Sequence, residues 1–479
     1  MRADPSAVAG LAGPQLSRRR VLRGLGVAGA AVAVPGLLSA CKPTPPPLAP
    51  DPSVRGLGFV GGPELEVGQG GWCWFQSPRA SFGPGGVLWL GTTVANTFTD
   101  ADGDVVVTSV DTGSMAVRSR TVVGHERPDD HTSPSVVVLG DRVQVAWGPH
   151  RLADHLDIGQ LTFDGALDLQ RVHRPNSVRI PGRGTSYASV HVVGGQRWLL
   201  YRGEGFTWNL LTSPDGTTWT GRGAVVLPAL GGQRPYLSAA SDGSRLHLVV
   251  SDGNPTEAPG CSVSAASIDA SYVIRDSAGA TVGTVGSGAP TTAECTRLVS
   301  GVAAASDAAD TDAWTCDLRI VDNRPTGILS VRDPWPEGSD AVGAFRHRYV
   351  WIRQRPSGWL VQDLCWAGGE LYGAQPDYTG LASQDPSDPR RVVVSTNVDP
   401  VAGTPLVSAS DGLVHWELFE GYLQQSGTWA WTPLTADSTE DNLRPVIAAG
   451  GTGKALAWMR GRYWSWTAFD TRVVVRLAA

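Results

Sequence analysis

Residues 133–148 read Ser-Pro-Ser-Val-Val-Val-Leu-Gly-Asp-Arg-Val-Gln-Val-Ala-Trp-Gly. Two short apolar runs flank Gly140-Asp141, a dipeptide that suits a tight hairpin because glycine enters the positive-φ region without steric cost. The same design recurs in Ser77 to Gly91, Tyr187 to Gly203, Pro235 to Gly253, Arg319 to Asp333, Gly380 to Asn397 and Val446 to Gly461. Turn pairs such as Gly85-Gly86, Gly194-Gly195, Asp242-Gly243 and Gly450-Gly451 punctuate them. No comparable helical periodicity lies between. Seven hairpins over residues 55–479 leave roughly 60 residues per unit, room for a four-stranded propeller blade with generous loops. The expectation is an all-β, seven-bladed β-propeller forming one catalytic domain. The wide interval between the fourth and fifth hairpins is expected to hold an elaborated loop carrying Cys261 and Cys295.

Composition agrees with a turn-dense globular chain: of 479 residues, 59 are Gly, 34 Pro and 18 Trp, and 18% are charged. That excludes disorder and coiled coil. Only Lys42 and Lys454 are lysines and the formal charge is −6, so a nucleic-acid partner recognised through a basic surface is excluded as well.

The start of the chain reads differently. Ser17-Arg18-Arg19-Arg20-Val21-Leu22-Arg23 precedes an apolar Gly/Ala-rich stretch from Gly24 to Leu38 and then Leu38-Ser39-Ala40-Cys41. This order is that of a twin-arginine export signal ending in a lipobox, and the stretch is too short for a permanent span. Residues 1–40 are accordingly expected to be removed. Cys41 becomes the lipidated residue, and residues 41–54, Pro-rich, form an extended tether. Losing five Arg and one Asp takes the formal charge from −6 to −10. The expected location is the outer face of the cell membrane, reached through the lipid on Cys41, with the protein a monomer.

An oxidising destination permits disulfides. Cys73 in Trp72-Cys73-Trp74 and Cys365 in Leu364-Cys365-Trp366 read as buried strand residues. Cys261, Cys295 and Cys316 share one segment where one disulfide is expected, without a pairing. Ser213-Pro-Asp-Gly-Thr-Thr-Trp219 resembles a slightly shortened Asp-box, a structural turn of sialidase-like propellers.

Hairpin register nominates a site. About a two-residue turn at Gly140-Asp141, cross-strand partners have numbers summing to 281, and His131 with His150 satisfy this at the open end. About Gly194-Gly195 the sum is 389, satisfied by Tyr187 and Arg202. Directly opposed residues share a face of the sheet, unless a bulge intervenes. Consecutive blades would then aim two pairs at one central cleft. Arg holds a carboxylate bidentately, His neutralises the same group, and His with Tyr moves protons. The set lacks the carboxylate pair of standard glycoside hydrolysis. It suits removal of the C5 proton of a uronic acid with loss of the 4-linked sugar.

Gly71-Trp72-Cys73-Trp74-Phe75-Gln76-Ser77-Pro78-Arg79-Ala80, Asp130-His131 with Ser133-Pro134-Ser135, Tyr201-Arg202-Gly203, Arg234-Pro235-Tyr236, Ser395-Thr396-Asn397-Val398-Asp399-Pro400 and Arg444-Pro445-Val446 resemble the BNR-repeat propeller family that contains the ulvan lyases. The likeness runs over most of residues 55–475. It implies that His131 and Tyr187 act as base and acid, and that His150 and Arg202 neutralise the uronate carboxylate. Tyr187 serves as base only if Arg202 favours its phenolate; otherwise His131 takes the proton and Tyr187 donates to the leaving oxygen. Relatives carry a structural metal on a His after an Asp-Gly at the end of the fourth hairpin. This chain has Ser251-Asp252-Gly253-Asn254-Pro255, which argues against a zinc site, and no cofactor is expected. Cys261 is then expected to be disulfide-bonded or buried.

The leading reading is a polysaccharide lyase acting by β-elimination on an acidic, ulvan-like rhamnose-uronate polysaccharide. The alternatives are an α-L-rhamnosidase-like hydrolase, since the family includes such relatives, and a non-catalytic glycan-binding lipoprotein. If the export reading holds, fatty-acid labelling marks the wild-type chain and Cys41→Ser abolishes the label. An unlabelled wild type contradicts it.

Overall fold

The computed structural model describes residues 58–95, 102–139, 142–150, 156–162, 184–230, 233–303, 310–334, 347–450 and 453–479. The export and tether segments with Cys41, and the Gly140-Asp141 turn, lie outside the described residues. The chain forms seven antiparallel sheets arranged as a β-propeller. Blade 1 runs through Ala80–Phe82, Val87–Thr93, Val105–Asp111 and Ala116–Val123. Blade 2 is Ser135–Leu139, Arg142–Trp147 and Asp157–Thr162; blade 3 is Ser186–Val193, Gln196–Arg202, Trp208–Ser213 and Thr220–Val226. Blades 5 and 6 begin with Asp312–Val321 and Ala382–Gln384. Blade 7 comprises Asp441–Gly450, Gly453–Ser465 and Ala468–Leu477, and Glu64–Gln69 pairs onto its last strand, tying the two ends of the described chain into one sheet.

Each predicted hairpin forms the first two strands of a blade, and the first strands contact one another in a closed ring. Neighbouring blades cover the inner two strands of each blade, so Leu88, Leu90, Val143, Val145, Leu199 and Leu200 of second strands are all buried. Outer strands lose that cover, and Ala116–Val123 is largely exposed.

Blade 4 departs from expectation. The interval expected to be a loop is built into strands Val263–Asp269, Val273–Arg275, Thr281–Thr284 and Thr296–Val299, which extend the sheet begun by Tyr236–Ser241 and Arg245–Ser251. Ser213 to Trp219 is indeed a turn: Asp215 Oδ1 accepts from the backbone N–H groups of Thr217 and Thr218 at 2.8 Å each.

The expected disulfide is not formed, since Cys73, Cys261, Cys295, Cys316 and Cys365 are all free thiols. Cys261 and Cys316 point at backbone carbonyls of Gly253 and Ala382 instead, and burial pushes the Cys316 thiol up to about 12. Cys73 is buried but lies in a turn rather than a strand; Cys365 is in the strand Gly358–Gly368 and only partly covered.

The turn around Cys73 occupies the middle of the ring. Trp72 Nε1 donates to Arg444 O in blade 7 and Trp74 Nε1 to Thr315 O in blade 5 at 2.7 Å. Phe75 packs on Tyr187 of blade 3 and Tyr236 of blade 4, and Trp74 meets Tyr378 ahead of blade 6 edge-on. Gln76 donates to His131 O and Ser133 O before blade 2, and Gly71 exchanges backbone bonds with Thr93 in blade 1. Truncating a fully buried aromatic of this kind costs about 3–5 kcal/mol. Trp74→Ala is therefore expected to lower the urea unfolding free energy by about that amount, and a loss under 1 kcal/mol would show that the plug is not structural.

Candidate active site

His131 and His150 flank blade 2 without belonging to it. The ladder keeps the predicted register, pairing Ser135 with Ala146 and Leu139 with Arg142. Beyond Ser135 the chain turns into a single 3₁₀ turn, Asp130–Thr132, capped by the Asp129 carboxylate on His131 N at 3.0 Å. The two histidines are thus not ladder partners. Their rings nevertheless stack, with centroids 3.8 Å apart and planes 3° from parallel.

Tyr187 and Arg202 are not direct partners either. Register holds from Gln196↔Val193 to Leu200↔Ser189, then shifts so that Arg202 faces Ser186. The extra residue is a β-bulge, and Tyr187 adopts φ +59° there. The bulge turns the ring onto Arg202, whose guanidinium lies 4.6 Å from the centroids of both Tyr187 and Tyr236. Arg202 Nη2 also donates to the Tyr187 hydroxyl at 3.4 Å. His150 and Arg444 share positive φ with Tyr187, strain that persists only where surrounding contacts hold it.

The four predicted residues form one cluster. Tyr187 lies 5.2 Å from the His131 ring and 6.2 Å from the His150 ring, and Trp466 meets both imidazoles edge-on. Residues that carried no role in the sequence reading complete it. Asp129, fully buried, receives His131 Nδ1 on one oxygen at 2.8 Å and His150 Nδ1 on the other at 2.7 Å. Asp130 pairs with Arg444 Nη1 at 2.5 Å and accepts from Tyr463 OH at 2.7 Å. Arg127 donates to His150 O and stacks over Trp466. The doubled Asp before His131 was the available signal for the first two.

Electrostatics follow from these contacts. Burial works against charge on every group. For Asp129 and Asp130 the adjacent histidines and Arg444 more than offset it, so both carboxyls ionise below their ordinary range. Burial also disfavours a charged His131, but Cys73, Tyr187, Asp130 and Asp129 around it raise its pKa well above the usual value. His150 goes the other way, to about 3, through burial and the stacked His131, against the pull of Asp129. The Tyr187 phenol is pushed well above 10 by burial and Tyr236, despite His131 and Arg202. In the resting site Tyr187 is therefore a neutral phenol that can donate a proton.

Two sets of donors are close enough to consider for a metal: Asp129, His131 and His150, and Cys73, Asp130 and His131. Donors around a tetrahedral zinc at about 2.0–2.1 Å stand about 3.3 Å apart. The N···O separations of 2.7 and 2.8 Å here are those of hydrogen bonds with protonated Nδ1 atoms. The set of Asp129, His131 and His150 does not fit zinc as it stands.

No family model matches the chain, and no curated protein matches its sequence. Among solved structures, polysaccharide lyase Uly1 is 8% identical with a TM-score of 0.49, covering 84% of this chain and 90% of that one. A Trypanosoma rangeli sialidase mutant with trans-sialidase activity is 8% identical with a TM-score of 0.38, covering 88% and 59%. The Penicillium chrysogenum α-L-arabinanase is 11% identical with a TM-score of 0.37, covering 86% and 97%.

The Asp130–Arg444 pair makes a pH-dependent contribution to stability. Because the folded Asp130 carboxyl ionises below its unfolded value of about 3.9, the contribution is complete above that value and is lost as pH falls through the folded one. Asp130→Asn strands a buried Arg444, at a cost of about 3–5 kcal/mol. In urea unfolding the deficit against wild type is expected in full near neutral pH and to shrink as pH falls below about 4; a deficit independent of pH contradicts the pairing.

Proposed function

We propose that this protein is a polysaccharide lyase that cleaves a uronic-acid-containing polysaccharide of the ulvan type by β-elimination. The observation that carries the reading is Arg202. The residue is 3% exposed, its guanidinium packs against two tyrosine rings, and it has no carboxylate partner among the described residues. A buried cation without a counter-charge is costly, and an incoming carboxylate relieves that cost. Next to it stand a neutral phenol and a stacked imidazole pair, the groups needed to move one proton on and one off.

In the reaction, the uronate carboxylate lies against Arg202, which stabilises the charge that builds on its oxygens as the C5–H bond breaks. One imidazole of the pair takes the C5 proton. The electron pair forms the C4=C5 bond, the C4–O4 bond breaks, and the leaving oxygen takes the Tyr187 phenolic proton. Proton return from imidazole to phenolate resets the site. Asp129 and Asp130 are each held by cationic partners, so neither offers the acid–nucleophile pair of standard glycoside hydrolysis. We further propose that Cys41 anchors the domain at the outer face of the cell membrane, where polymeric substrate is met.

The test is ultraviolet absorbance of the conjugated 4,5-unsaturated product during incubation with uronic-acid polysaccharides. Wild type is expected to produce it and Tyr187→Phe to abolish it with binding retained, while Arg202→Ala loses about a hundredfold to a thousandfold in rate. Rhamnose release without the absorbance points to the hydrolase, and binding alone to a glycan-capture protein. Wild-type turnover by Tyr187→Phe contradicts the assignment.

A further inference from the structure

Asp129 places both of its oxygens on Nδ1 atoms, so each histidine is fixed with a proton on that nitrogen. Imidazole geometry then directs both Nε2 atoms away from Asp129, and neither has a hydrogen-bond partner among the described residues. Rings stacked at 3.8 Å do not both carry charge at low cost, so the pair holds one extra proton at most. Which ring holds it depends on what faces each. His131 Nδ1 has two carboxylates within 2.8 Å, from Asp129 and Asp130, with Cys73 and Tyr187 beside the ring and Arg444 and Tyr463 beyond Asp130. His150 has only the shared Asp129; Arg127 donates to its carbonyl and lies 3.5 Å from the Asp129 oxygen it uses, and the Arg202 cation also disfavours charge on its ring.

We propose that Asp129 is a positioning residue that binds His131 and His150 into a single-proton pair, with His131 as the imidazolium beside the substrate carboxylate and His150 as the neutral ring whose bare Nε2 accepts the C5 proton. This rests on the lyase reading and exchanges the roles that the family resemblance implies for the two histidines. His131, already protonated at both nitrogens, donates from Nε2 to the carboxylate together with Arg202. His150 has a free lone pair. The arriving carboxylate adds the negative charge that makes a second imidazolium tolerable while the proton is in transit to Tyr187.

Nitrogen NMR of histidine-labelled protein without substrate tests the pair directly. Near neutral pH, one site ring is expected to show two protonated nitrogens and the other a proton on Nδ1 alone; His131→Gln removes the first pattern and His150→Gln the second. In Asp129→Asn the charged pattern is expected only at lower pH. Two neutral rings in wild type, a charge on His150, or an unchanged titration in Asp129→Asn overturns the pair. On a polysaccharide that the parent cleaves, His150→Gln is expected to lower kcat more than a hundredfold with KM little changed, and His131→Gln to raise KM as well. Wild-type kcat in His150→Gln overturns its role as acceptor. The NMR pattern needs no substrate, so its appearance in a protein that cleaves no uronan would sink the lyase reading and leave the pair standing.

Discussion

The structure depends on one physical fact, that the ring of seven inner strands leaves an axial space which the chain fills with its own residues, Trp72 to Gln76. That turn, with Gly71 before it, reaches residues in or just ahead of all seven blades through side-chain and backbone contacts, to Arg444, Thr93, Ser133, Tyr187, Tyr236, Thr315 and Tyr378. Well-packed interiors leave few voids larger than a water, and a turn carrying two Trp and one Phe supplies the volume. The same turn is the floor of the site. Phe75 supports the two tyrosines that enclose Arg202, and Gln76 holds the carbonyl of His131. Packing of the axis and placement of the chemistry are therefore one arrangement.

Above that floor the charges are unequally matched. Asp130 is committed to Arg444 and Tyr463, and Asp129 to two imidazoles with Arg127 3.5 Å away, while Arg202 has aromatic faces but no carboxylate partner among the described residues. Aromatic rings attract a guanidinium without neutralising it. Positive charge therefore outweighs negative beside the proton-moving groups, and under the proposed lyase reading a uronate carboxylate would bring a negative charge next to the carbon that loses its proton.

The propeller was legible because its signal repeats: seven apolar hairpins with turn dipeptides, each of which became the inner half of a blade. Ladder register within blades 2 and 3 was legible too, since a tight turn determines every pair behind it. Legibility ended where the ladder ended. The bulge at Tyr187 arises from a positive φ that a bulky residue adopts only under tertiary constraint, and a 3₁₀ turn rather than strand carries His131. Both deviations kept the expected side chains in contact by routes that residue spacing does not encode. Asp129 carried no role in the sequence reading, because a carboxylate bonded to His150, 21 residues further on, shows only in three dimensions. The anticipated disulfide and the blade 4 loop failed for a related reason: burial satisfied the thiols, and weakly patterned sequence after Val263 found pairing partners on an existing sheet edge.

The central claim is that Arg202, which has no carboxylate partner among the described residues, is a carboxylate seat. A crystal structure of Tyr187→Phe with a rhamnose-uronate oligosaccharide tests it most directly, since that variant keeps the ring while removing the proposed acid. The account predicts a uronate carboxylate on the Arg202 guanidinium, with C5 facing Nε2 of one imidazole and O4 facing position 187. An oligosaccharide bound at the other mouth of the propeller, or across the site with its carboxylate turned away from Arg202, would contradict it.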